Sequence, residues 1–254
     1  MWHELFLLPF LCGLLLAVLL PWLGCYLRLR DEWLAAFAYA HVAAAGALLA
    51  AVASLPAALG GIVAAGLAGL GKRSVARRLS GSTAHALMLM GGWASAVLLV
   101  ANLPMAERLG HALFDGQLYF ADAGMLGLIV PATVAGLICL LRLSRGLLLA
   151  HVYPDFCRLR GQRSWPILSG FDLLAAVLLA LATLSLGVMG AFALIFIPPW
   201  LAFRRGRNWR NGLRLAVGLG VCAYVLAFAL ALGLDQPFGP VLAIMLLVFG
   251  VFLA

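Results

Sequence analysis

Apolar residues along this chain come in long unbroken runs, not in alternation and not in one-sided stripes. The runs occupy 5–27, 34–54, 56–71, 84–103, 122–142, 168–186, 188–203, 212–233 and 239–254. A helix needs about 20 consecutive apolar residues to cross the hydrocarbon core of a bilayer. Most of the runs meet that length. The runs 56–71, 188–203 and 239–254 are short, as expected of tilted, half-buried or broken helices. Backbone at that depth must satisfy its own hydrogen bonds, which leaves helices or a closed barrel. A barrel would show alternating segments, and these do not alternate. The pattern predicts an all-α, polytopic transmembrane helix bundle of eight or nine spans, forming one transmembrane domain over residues 1–254.

Composition agrees and removes the soluble alternatives. The chain is 65% hydrophobic and 10% charged. An ordinary soluble domain is about 45–50% apolar and about 25% charged. One water-soluble core could not hide so much apolar surface, so the lipid bilayer is the expected solvent for most of the chain. The run 5–27 reads as a span and not as a signal peptide: it opens on Glu4 without a basic stretch and is too long for a signal core. Cys12, Cys25, Cys139, Cys157 and Cys222 are scattered and form no CxxC pair, so they read as small packing residues.

Charge sets the orientation. Arg28 and Arg30 follow the first run. Lys72, Arg73, Arg77 and Arg78 share one connection, as do Arg142, Arg145, Arg158, Arg160 and Arg163, and then Arg204, Arg205, Arg207, Arg210 and Arg214. The alternate connections hold only Arg108, beside Glu4, Glu107, Asp115, Asp122 and Asp235. Basic connections stay in the cytoplasm. The amino terminus then faces outward, and nine crossings put the carboxyl terminus inside. The net charge of +8 is on this reading a topogenic signal. It is spread over separate short loops with no aromatic platforms between them, so no nucleic-acid partner is expected. Runs of small residues, Ala43 to Gly46 and Gly60 to Gly66, let helix backbones approach closely and imply a compact bundle.

Few residues carry candidate chemistry. Gly66 to Lys72 reads GLAGLGK, but Arg73 stands where a phosphate-binding loop needs Ser or Thr, and a hydrophobic helix precedes it instead of a strand. No nucleophile elbow or HExxH helix occurs, so the chain is not expected to be an enzyme. His3 and His111 fall outside the membrane, and His85 and His151 near its cytoplasmic face. His41 differs, lying eight residues into the second run, roughly 12 Å from the cytoplasmic edge. Ionisable side chains at that depth tend to face a cavity or a pathway, and neutral imidazole is a common metal ligand. A histidine hydrogen-bonded within the bundle is the equal alternative. Asp172, near the start of the sixth run, reads as a helix-start or interfacial carboxylate.

The stretch Leu20 to Arg30, LPWLGCYLRLR, resembles the opening of the membrane permeases of bacterial ABC importers for zinc and manganese. In that family an Asp-x-x-x-His helix follows, with a glycine five residues past the histidine. His41 and Gly46 keep that spacing. Phe114-Asp115-Gly116 looks like the family's Phe-Gly-Asp segment with two residues transposed. Asp155, Phe156 and Gly161 resemble its cytoplasmic segment. Gly187 to Pro199 looks like its small-residue helix ending at proline, and Leu232 to Pro240 like its last outward loop. Together these pieces cover nearly the whole chain.

The resemblance implies a multi-pass protein of the bacterial cytoplasmic (inner) membrane. It implies alternating access driven by separate ABC ATPase subunits. A second permease copy, the same chain or a different one, would complete the path, and an extracytoplasmic substrate-binding protein would deliver cargo. No permanently bound cofactor is implied; a divalent metal, zinc or manganese, or a metal complex is the expected cargo. Asp155, Phe156, Arg158 and Gly161 are the expected ATPase-docking residues within 151–166, with 204–214 as the alternative loop.

One departure stands out. The family's aspartate position is Phe37 here, and the glycine before it is Ala36. Residues four apart share a helix face, so an Asp and His there from two permeases would give four ligands. Here only two copies of His41 would meet. Water could complete the shell, the cargo could be a chelated metal, or a different second permease could bring the carboxylates. A secondary transporter without ATPase partners and a non-transporting membrane scaffold are the rival readings. The scarcity of mid-depth carboxylates counts against the first.

Overall fold

A computed structural model of the chain describes residues 2–76, 79, 81–116, 118–153, 165–206 and 208–253. They form α1 (Trp2–Leu29), α2 (Trp33–Val52), α3 (Ala57–Ala76), α4 (Gly81–Asn102), α5 (Pro104–Asp115), α6 (Ala123–Val152), α7 (Trp165–Arg205), α8 (Trp209–Leu234) and α9 (Phe238–Leu253), with one 3-10 turn at Leu118–Phe120. The expected all-α bundle forms, and each apolar run coincides with a helix or with one arm of a helix. Six helices, α1, α2, α4, α6, α7 and α8, are long and apolar enough to cross a membrane, while α3 and α9 carry shorter apolar stretches.

The helix α7 is not a straight rod. Ring contacts of 6.2, 5.4 and 5.0 Å link Phe171 to Tyr26, Tyr26 to Trp209 and Trp209 to Phe203. A straight helix would hold Phe171 and Phe203 roughly 48 Å apart. The chain therefore turns back on itself at Gly187, where φ is 77° and ψ 165°. Its two arms are the sequence runs 168–186 and 188–203. Only glycine fits this reversal: a Cβ there would lie 2.6 Å from the Gly116 nitrogen and 2.7 Å from the Phe114 oxygen. Gly116 and Gly239 complete the same node. Their absent Cβ atoms would lie 2.6 Å from the Leu186 oxygen and 2.7 Å from the Asp115 oxygen, respectively.

Interatomic contacts place the basic residues at one end of the bundle. Tyr26 donates to the Ser144 hydroxyl at 2.8 Å, which sets Arg142 and Arg145 of α6 beside the end of α1. Arg28 donates to the Trp200 carbonyl at 3.3 Å and lies over the Phe203 ring. Trp209 against Tyr26 brings the first turn of α8 to the same end, and Gly250 near the Trp200 ring brings the end of α9 there.

Burial separates centre from rim. In α2 and α7, 72% of the most apolar stretch is buried, against 22% in α4 and α6. The rim helices expose large apolar side chains such as Met90, Leu98 and Leu141, as helices bathed in lipid do. The chain has the arrangement of a multi-pass membrane protein. Lipid supplies no hydrophobic drive between helices, so close backbone approach must hold them together. Gly46 of α2 and Gly60 of α3 each abut the other's carbonyl. The turn between those helices is a left-handed cap at Ser54, φ 59°, in which the Leu55 N–H donates to the Ala50 carbonyl at 2.8 Å. Gly24 of α1 packs on the Ile195 carbonyl in the same manner.

The helix α5 lies where the sequence suggests only an outward loop. Pro104 opens it, at a position where a missing N–H costs nothing. Ala106, Gly110 and Leu113 face the bundle, while Glu107, Arg108 and His111 face out. It packs on α4, α2 and the reversal in α7.

Candidate functional site

Helix α2 carries the site. Small residues around His41 let neighbouring helices close on it: a Cβ on Gly92 of α4 would lie 2.8 Å from the Val42 nitrogen. His41 is 6% exposed. Its Nδ1 lies 2.9 Å from the Phe37 carbonyl, one helical turn back. A carbonyl only accepts, so Nδ1 carries the proton and Nε2 keeps its lone pair. Nε2 makes no hydrogen bond among the described residues. One nitrogen of His41 is thus satisfied within the helix, while the other has no hydrogen-bond partner among the described residues.

Aromatic rings line the imidazole. Phe37 meets His41 edge-on at 4.4 Å, and Phe114 of α5 approaches it at 6.1 Å. Phe37 lies 4.7 Å from Phe192, Phe192 stacks on Phe196 at 5.5 Å, and Phe196 meets Trp33 at 4.7 Å. These rings run from mid-depth towards the basic end, along α2 and the second arm of α7, and all are half-buried. No three His, Cys, Asp or Glu side chains come together among the described residues. Among the described residues the site can thus offer one imidazole nitrogen and polarizable ring faces, without a cluster of three potential metal ligands.

The carboxylates of the basic end are used elsewhere. Asp172 accepts from Arg30 at 2.8 Å and from Lys72 at 3.0 Å. Glu32 accepts from Lys72 at 2.7 Å and from Arg30 at 3.1 Å. The four charges balance, and their side chains are 7–20% exposed. Asp172 is thus no simple helix cap; it ties α7 to α3 and to the α1–α2 turn. Beside it, His85 is 2% exposed, unlike the interfacial tip its position suggested. Its ring lies 6.3 Å from that of Tyr39, and neither Nε2 of His85 nor the Tyr39 hydroxyl has a partner among the described residues.

Three of the segments singled out by resemblance converge. Phe114–Gly116, the start of Gly187–Pro199 and the Gly239 end of Leu232–Pro240 meet at the glycine node. Asp122 caps α6 by accepting from the Met125 N–H at 2.8 Å. Asp155, Phe156, Arg158 and Gly161 lie outside the described residues, as does Cys157. The aromatic wall and the ion cluster were not singled out from sequence. The spacing of Trp33, Phe37 and His41 on one helix face was the available signal for the wall.

Comparison with known proteins agrees with this architecture. The family model described as the ABC 3 transport family matches residues 3–254. A Haemophilus influenzae protein described as a "probable iron transport system membrane protein" is 23% identical over 233 residues, which is 90% of this chain and 85% of that protein. A chain of PsaBC from Streptococcus pneumoniae, solved in complex with Fab, superposes with a TM-score of 0.85 at 17% identity, covering 98% of this chain and 90% of that one. A structure described as an inward-facing metal-chelate type ABC transporter superposes with a TM-score of 0.75 at 18% identity, covering 98% and 87%.

Proposed function

The chain belongs to the ABC 3 transport family, and from that membership and the site we infer that it is the membrane permease of an ABC importer whose cargo is a metal held in a complex. Separate ATPase subunits bind on the basic, cytoplasmic end and bias the permease between outward- and inward-open states. Asp155, Phe156, Arg158 and Gly161 form the docking segment. A second permease chain faces this one across the pathway, and an extracytoplasmic binding protein delivers the cargo in a bacterial inner membrane.

The observation that carries the cargo reading is the wall around His41. A bare dication there would meet two imidazole nitrogens from two like chains and no carboxylate. Charge in such low-dielectric surroundings is expensive without a counter-charge. A chelator that neutralises the ion removes that cost, and its organic face fits the rings of Phe37, Phe192 and Phe196. Imidazole Nε2 then supplies one further ligand or a hydrogen-bond acceptor. The metal can be zinc or manganese, as the opening motif suggests, or iron, as the name of the Haemophilus influenzae relative suggests.

The test is metal accumulation in a strain lacking the gene, restored by the wild-type gene or by His41→Ala. Each is supplied with zinc, manganese or iron, free or chelated. The reading expects restoration with a chelated metal and its loss in His41→Ala at equal membrane abundance. Equal accumulation with and without the gene for every metal form would sink it. Co-purification of an ATPase, lost on Asp155→Arg, tests the docking segment separately.

A further inference from the structure

An apolar recess lies between α1 and α8, lined by none of the residues around His41. Its volume is about 490 Å³, within the range of ligand-binding clefts. Val18 and Trp22 of α1 and Val217 and Gly218 of α8 line it, and Arg210 and Arg214 stand at one end. That end is the basic one, because Trp209 packs on Tyr26 near the close of α1. Arg210 and Arg214 are four residues apart, so their guanidinium groups project from one helix face. Both are exposed, and neither has an ion-pair partner among the described residues. The Trp22 ring lines the recess, with its N–H enclosed within the protein. At Gly218 nothing lies within 4 Å of where a Cβ would be, so the floor of the recess is open.

These features ask for one kind of occupant. The apolar length faces hydrocarbon and suits an acyl chain. Two unpaired guanidinium groups at the membrane face suit a phosphate, which they can grip with paired N–H donors. A free phosphate would leave the apolar wall unmatched. We propose that the α1–α8 recess is a binding site for one anionic phospholipid of the cytoplasmic leaflet, with its phosphate between Arg210 and Arg214 and one acyl chain along Val18, Val217 and Gly218. The proposal needs the membrane orientation and not the identity of any cargo.

The full chain, purified with the subunits that accompany it, is incubated with equal amounts of dioleoylphosphatidylglycerol and dioleoylphosphatidylcholine and read by native mass spectrometry. The wild type retains one phosphatidylglycerol per chain in preference. The double variant Arg210→Gln/Arg214→Gln loses that preference by roughly twenty-fivefold, the product of about fivefold for each arginine near a charged membrane surface. Gly218→Phe fills the recess from open space, keeps both arginines, and loses retention of both lipids. All three positions tolerate change without disturbing packing, and monodispersity checks this. An unchanged lipid ratio in the arginine double variant would mean non-specific annular lipid and overturn the proposal. So would full retention in Gly218→Phe. Disulfide trapping of two copies through Val217→Cys would also overturn it, since a second chain would then occupy the recess.

Discussion

Neutralising Asp172 probes how three helix ends are joined at the basic end of the bundle. In Asp172→Asn the carboxylate that accepts from Arg30 at 2.8 Å and Lys72 at 3.0 Å loses its charge, and Arg30 and Lys72 are left with Glu32 alone. Each lost attraction is on the order of 5 kcal/mol at an effective dielectric of about 20, before the cost of desolvation is set against it. Side chains 7–20% exposed are screened little by water. Breaking one partner of such a buried set costs about 3–5 kcal/mol, because an uncompensated charge remains. Asparagine still accepts one hydrogen bond, so about 3 kcal/mol is the expected loss. Removing the surplus cation as well, in Asp172→Asn/Lys72→Met, restores balance between Arg30 and Glu32. The double variant should therefore be more stable than the sum of the single losses predicts, by at least about 1 kcal/mol. Equilibrium unfolding with SDS in mixed micelles reads all four proteins. Single variants as stable as the wild type, or strictly additive losses, would refute a coupled buried cluster.

Other perturbations follow from the same geometry. Gly187→Ala places a side chain on a positive-φ reversal and within 2.7 Å of two backbone atoms. It should cost at least about 2 kcal/mol from backbone strain and overpacking together. Size-exclusion of the detergent extract should show loss of the monodisperse peak, whereas Gly91→Ala, with open space around it, should not. Phe37→Asp rebuilds a carboxylate four residues before His41, and should confer Zn²⁺ binding on the purified chain by titration calorimetry. Phe37→Asn should not, and equal heats for Phe37→Asp and the wild type would contradict the placement of both residues on one face. In a chain stripped of native cysteines, Leu55→Cys should react with impermeant maleimide in intact cells, and Ser74→Cys only after permeabilisation; the reverse order would overturn the orientation.

Most of the fold was legible because lipid imposes a simple rule on sequence. Every span must be an unbroken apolar run, and the runs 84–103, 122–142 and 212–233 map onto α4, α6 and α8. Even the short break between 186 and 188 marked a true reversal at Gly187. The helix α5 escaped notice because twelve residues with a polar face do not resemble a span. The ion cluster was hidden for another reason. Arg30, Glu32, Lys72 and Asp172 belong to three separate helix ends, and only packing brings them together. The burial of His41 was legible from its place well inside an apolar run. The free state of its Nε2 was not, since that depends on the hydrogen bond its other nitrogen makes with Phe37. The wall of Phe37, Phe192, Phe196 and Phe114 joins three elements, α2, α7 and α5, and could be assembled only in three dimensions.

The account stands or falls on whether cargo passes the imidazole and rings of α2 and α7. Vesicles holding the permease with its co-purified ATPase can be loaded with ATP on the ATPase side and given radiolabelled metal, free or chelated, on the other. ATP-dependent uptake of the chelated form, reduced at least about tenfold in His41→Ala while ATP hydrolysis persists, is the expected result. Uptake that proceeds without ATP, or that is indifferent to His41→Ala, would contradict it.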